Sequence, residues 1–182
     1  MIEKHVFGEF VPKNAKYLIL GSFPVKQSVK GPNYDASYNF FYSIPRNQFW
    51  PILETIYKVE LKTKKAKMKF LSKLSCAMAD IILKCERTSG SNLDANLTNF
   101  QYNLKAIKKI LNTHPIKKIY FTSRFVEKRF KQFFKDIIKV YPNVKLITLP
   151  SPSPRYVLIS KKEKIKQYRK LLPKTVLYNK KW

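Results

Sequence analysis

Four short apolar runs punctuate the chain, at 17–20 (YLIL), 77–83 (AMADIIL), 118–122 (KIYFT) and 144–149 (VKLITL). Each is brief and nearly continuous in apolar character, as strands covered on both faces of a parallel sheet are. Segments of helical period lie between them, at 48–57, 63–74, 103–111 and 124–139. A last helix is signalled by Ser160 and Glu163 at capping-box spacing and should run to about Leu172, before Pro173. Strand and helix thus alternate, which predicts βαβ crossovers and an α/β class fold. The expected form is a three-layer α/β/α sandwich with a short, mainly parallel central sheet. At 182 residues one domain spanning 1–182 is expected, with function beyond the carboxyl ends of the strands.

Charge narrows the partner. The chain has 37 Lys plus Arg against 11 Asp plus Glu, a formal net charge of +26, and 31 of the basic residues are Lys. A lysine skew also arises from codon usage in an AT-rich genome. Even so, a field of this size attracts polyanions at low salt, and nucleic acid is the expected partner. The basic segments carry no long one-sided apolar face, so a membrane surface is not expected. Runs such as KTKKAKMK at 62–69 read as solvated helix faces. The first ten residues, MIEKHVFGEF, mix charge into what would be a signal peptide's apolar stretch, so the cytoplasm, or the nucleoid in a prokaryote, is the expected location. Only Cys76, Cys85, His5 and His114 offer soft metal ligands, too few and too scattered for a zinc or iron–sulfur site. No metal and no cofactor are expected.

Three long irregular segments, 21–46, 84–101 and 150–160, each follow a predicted strand and should share one edge of the sheet. They hold Phe23, Tyr34, Tyr38, Phe40, Phe41, Tyr42 and Tyr156 among basic residues, rings suited either to stacking on unpaired bases or to packing the loops down. Among only four glycines, at 8, 21, 31 and 90, Gly21 ends the first strand and opens the turn Gly21-Ser22-Phe23-Pro24. Then come FYSIPRNQFW at 41–50 and LPSPSP at 149–154.

Taken in this order, those motifs resemble the uracil-DNA glycosylase superfamily, most closely its hypoxanthine-DNA glycosylase (DNA-deoxyinosine glycosylase) branch. GSFPV, FYSIPRNQFW, Cys85-Glu86-Arg87 with Gly90-Ser91 and Leu93-Asp94, and LPSPSP match that branch over about residues 16–172. The chain departs from it at Val25, where the branch has glycine, and in the spacing around Ser89 and Asn92. Phe23 and Leu149 stand where other relatives carry polar catalytic groups.

The resemblance implies a monofunctional hydrolase of base-excision repair, a monomer that flips a deaminated base, hypoxanthine, uracil or xanthine, out of DNA and cleaves its N-glycosidic bond. It makes Asn47 the catalytic residue, positioning the attacking water, while position alone equally suits Asn47 as a helix cap. Backbone amides of Gly21, Ser22 and Phe23 would hold the carbonyl of the leaving base, Phe23 would wall the pocket, and Tyr42 would stack on the base or pack beneath Trp50. Pro24, Arg46, Ser151, Ser153, Arg155 and Tyr156 would contact DNA, with the serines pinching phosphate and Arg155 and Tyr156 entering the gap. Phe49 and Trp50 read as core. The alternative is a catalytically silent nucleic-acid-binding domain on the same fold. A small-molecule nucleotide enzyme is disfavoured, because no glycine-rich phosphate loop is present.

Overall fold

The computed structural model describes residues 2–29, 35, 38–89 and 91–174. Tyr34, Gly31 and Gly90 therefore lie outside the described residues.

A four-stranded sheet, parallel throughout, is built from β2 (Tyr17–Gly21), β3 (Cys76–Asp80), β6 (Lys118–Phe121) and β7 (Lys145–Thr148) in the order β3-β2-β6-β7. Its alternating side chains feed two cores, which is why the runs are nearly continuous in apolar character. Ile19, Cys76, Met78 and Tyr120 face one core with α1 (Phe49–Tyr57), α2 (Lys64–Lys73) and α6 (Lys161–Leu171). Leu18, Leu20, Ala77, Ala79, Ile119 and Phe121 face the other with α3 (Leu104–Thr113), α4 (Arg124–Phe133) and α5 (Lys135–Val140). The result is the expected α/β/α sandwich. Phe49 and Trp50 are core, as expected.

Helix starts follow local chemistry. Thr63, Ser123 and Ser160 each accept a backbone N–H three residues on, and the Ser160 bond to Glu163 is half of the predicted capping box. The 124–139 segment breaks at Phe134, whose backbone leaves the helical region, giving α4 and α5 instead of one helix. In the lysine-rich 62–69 run, Lys67 departs from the solvated expectation: it is buried, its ammonium 5.2 Å from the centre of the Trp50 ring.

The main departure concerns 77–101. The predicted 77–83 strand is divided at Ile81, and the segment beyond it is not irregular. β4 (Ile82–Arg87) and β5 (Leu97–Tyr102) pair antiparallel, and β1 (Ile2–Lys4) joins the far side of β4. This second sheet of three strands packs Cys85 and Leu97 into the α3–α5 core. Asn99 sits at a positive φ of 50° where the register shifts, so its extra residue scrambles the alternation that would have marked β5.

Candidate active site

Gly21 ends β2 beside Asp80 of β3. A side chain there would run into Asp80 Oδ1 and the Tyr42 hydroxyl, so only glycine lets these groups close on the strand end. Tyr42 takes a positive φ of 54°, which turns its ring back against Phe49, stacked at 4.6 Å and 27°. Its packing partner is thus Phe49, one residue from the expected Trp50. The Thr122 hydroxyl donates to the Leu20 carbonyl at 3.1 Å, so the Tyr42 hydroxyl is the donor in its 2.7 Å bond to Thr122 Oγ1. Burial, reinforced by nearby Asp80, pushes the Tyr42 phenol well above its ordinary range and keeps it neutral.

Sequence reasoning missed the polar floor beneath this turn. His5 Nε2 lies 2.9 Å from Asp80 Oδ2, both side chains almost wholly buried. His5 Nδ1 accepts the Phe7 N–H at 3.3 Å, which assigns the ring proton to Nε2 as donor to Asp80. With both nitrogens engaged, and Phe7, Phe23 and Phe41 around the ring, His5 orients Asp80 and is not a free base. Asp94, half-buried, is the second carboxyl. Ser22 Oγ donates to it at 2.7 Å, and burial, partly opposed by that bond, raises its pKa. Two of only 11 acidic side chains thus lie at the end of β2. A lone Asp inside AMADIIL was the available signal for Asp80; His5, 75 residues away, offered none.

The loops after β2 and β7 meet on one edge, as their positions after parallel strands predicted, and they are joined there by the β4–β5 connection, all that is irregular in the expected 84–101 loop. Arg87 holds them: it pairs with Glu3 at 2.9 Å and donates to the carbonyls of Pro24 and Ser91. Asn92 accepts the Lys26 N–H and donates to Gln27. Arg155 donates to Ser91 Oγ at 3.2 Å, and the Gln48 N–H donates to the Pro152 carbonyl at 2.9 Å. A cavity of about 420 Å³ opens between Asp94, the start of α4 and the loop after β7, lined by Asp94, Ser123, Arg124, Leu149, Ser151 and Tyr156.

Within this frame the sequence-derived residues differ in exposure. The N–H groups of Ser22 and Phe23 donate to nothing among the described residues. Phe23 is buried against His5, and Pro24 is buried with its carbonyl taken by Arg87. Arg46 is exposed, with no bond among the described residues. Asn47 is half-buried, and its Oδ1 accepts the Phe49 N–H at 2.9 Å, so it caps α1 from one residue before the formal cap, Gln48. Its Nδ2 donates to nothing among the described residues. Ser151 and Ser153 are half-buried, and Ser151 Oγ accepts the Ser153 N–H at 3.3 Å. Tyr156 lies under the Lys164 ammonium, 5.2 Å from ring centre to nitrogen.

The thiols offer no chemistry. Burial pushes the Cys85 thiol up to about 12 and Cys76 higher, so neither supplies a thiolate at neutral pH. Among the described residues no three His, Cys, Asp or Glu side chains group as metal ligands. No described helix is long and apolar enough to cross a membrane.

No protein-family model matches the chain, and no curated protein matches it. Among solved structures, the solution NMR structure of a protein from Methanosarcina acetivorans described as a "putative Uracil DNA glycosylase" is similar, with a TM-score of 0.67 and 21% sequence identity. The match covers 94% of this chain and 99% of that one. The three-layer α/β/α sandwich seen here, with its parallel four-stranded sheet, is therefore the fold of that protein over nearly its full length.

Proposed function

We propose that residues 1–182 form one glycosylase domain that hydrolyses the N-glycosidic bond of a deaminated base in DNA, working as a monomer without metal or cofactor. Hypoxanthine, uracil and xanthine are the substrates this assignment covers, with the motifs nearest to the hypoxanthine branch. The observation that carries it is the convergence of GSFP, PRNQFW and LPSPSP at the carboxyl edge of the parallel sheet, bonded to one another through Gln48, Arg155 and Arg87. The shared fold supports it.

Chemistry follows from what these groups hold free. Cleavage leaves an oxocarbenium-like sugar and an anionic base. The unengaged N–H groups of Ser22 and Phe23 suit the base carbonyl, each such donor being worth about 3 kcal/mol. Asn47 Oδ1 has a second lone pair beyond its cap bond, and it serves to orient the attacking water. The cap bond also fixes the amide, so the two roles are compatible. Tyr42 has one face on Phe49, and we assign a flipped base to the other. Arg46, Ser151 and Ser153 take phosphates. Arg155 and Tyr156 are held by Ser91 and Lys164, whereas Val157 and Leu158 next to them are 81% and 77% exposed. These two apolar side chains suit the gap left in the base stack better.

Engagement of Asn47 in the cap also favours the silent-binder alternative. Gel shift and base release measured on the same oligonucleotide separate the two. DNA affinity is expected to fall with salt at a log–log slope of about −0.9 per phosphate neutralised. Binding with no abasic-site formation on any deaminated base leaves the silent binder; no binding at low salt removes both.

A further inference from the structure

Lys164 is 1% exposed, on the inner face of α6. Its ammonium donates to Gln48 Oε1 at 2.9 Å and to the Ser153 carbonyl at 3.1 Å. No carboxylate pairs with it among the described residues. Burial alone lowers its pKa, with no neighbouring charge to offset the shift. A buried cation without a counter-charge is costly to a fold, so its place at this junction calls for a use.

Its neighbours indicate that use. Tyr168, one turn along the same face, donates to the Pro150 carbonyl at 2.8 Å, while the Gln48 N–H holds the Pro152 carbonyl at 2.9 Å. Three carbonyls of the 150–154 loop are thus drawn inward. In a trans peptide the N–H points opposite to the carbonyl, and no peptide here is cis. The Ser151 N–H therefore faces away from α6, whereas the Ser153 N–H is held by Ser151 Oγ at 3.3 Å and Pro154 has none, which leaves the serine hydroxyls to meet a ligand beside the Ser151 N–H. A phosphate at the two serines would be separated from the ammonium by one thickness of chain, well inside the screening length of about 8–10 Å.

We propose that Lys164 is a positioning residue for DNA: its buried ammonium locks the 150–154 loop to the Asn47 segment in the form that grips a backbone phosphate, and the phosphate supplies the charge that the protein withholds. This rests on the DNA-binding half of the function proposed above. Among the described residues Lys164 has neutral partners but no counter-charge, and the DNA phosphate supplies one.

Binding of an undamaged duplex oligonucleotide across a salt series, with thermal melts, tests this in the full chain. Lys164→Met should weaken binding about 10-fold at low salt and make the log–log slope shallower by about 0.9, one phosphate's worth. Gln48→Glu gives the ammonium an internal carboxylate. It should raise the melting temperature while weakening DNA binding and flattening the slope. Unchanged affinity and slope in the Met variant, whatever its melting temperature, would make Lys164 a structural strut and overturn the proposal. Should the Met variant not fold, Gln48→Glu decides: native affinity and slope there overturn it equally. Since the probe carries no damaged base, these results stand apart from base release. A protein with the Lys164-dependent slope but no turnover would sink only the glycosylase assignment.

Discussion

Asn47→Ala is expected to lower single-turnover base release about 100-fold or more, because under the proposed function it removes the amide that orients water. It also deprives the Phe49 N–H of its 2.9 Å acceptor, at a cost of about 1 kcal/mol in stability. The two effects part in Asn47→Asp. Aspartate keeps the cap, so the melting temperature should hold, but it brings a negative charge beside DNA and the departing base, so the rate or base preference should change. Thermal melts and single-turnover rates on the three proteins give the answer. An Ala variant that is fully active and merely less stable would reduce Asn47 to a cap.

Gly21→Ala should be the second severe change. Its methyl group would meet Asp80 Oδ1 and the Tyr42 hydroxyl, and neither can retreat cheaply. Asp80 is tied to His5, and Tyr42 is tied to Thr122 with its ring on Phe49. Overpacking of this kind costs about 1–3 kcal/mol. Displacing Tyr42 and the Ser22 turn should also cut base release about 100-fold, as misplacement of positioning groups does. Adding Tyr42→Phe removes one of the two obstructing atoms, so the double variant should melt higher than Gly21→Ala alone. A single variant with native melting temperature and rate would contradict the packing described at this strand end.

The parallel sheet was legible because both its faces are buried, which leaves near-continuous apolar runs. The meeting of the loops after β2 and β7 was legible for a topological reason, since each follows the carboxyl end of a parallel strand, whereas the β4–β5 connection that joins them follows an antiparallel strand. The β4–β5 hairpin was hidden by the left-handed residue Asn99, whose bulge breaks the period-two pattern. The His5–Asp80 floor depends on a contact across 75 residues, which no local pattern encodes. Lys164 was masked by its surroundings, since KKEKIKQYRK has the composition of a solvated helix and only the fold turns this lysine inward. Asn47 shows the opposite case: a cap and a water-positioning amide stood as alternatives, and the geometry shows the cap bond to Phe49.

The most direct measurement is abasic-site formation on a panel of oligonucleotides carrying hypoxanthine, uracil, xanthine or only undamaged bases, with native protein and Asn47→Ala side by side. The account predicts release of at least one deaminated base by the native protein, none from the undamaged strand, and a loss of about 100-fold in the variant. Tight DNA binding with no base released from any member of the panel would contradict it.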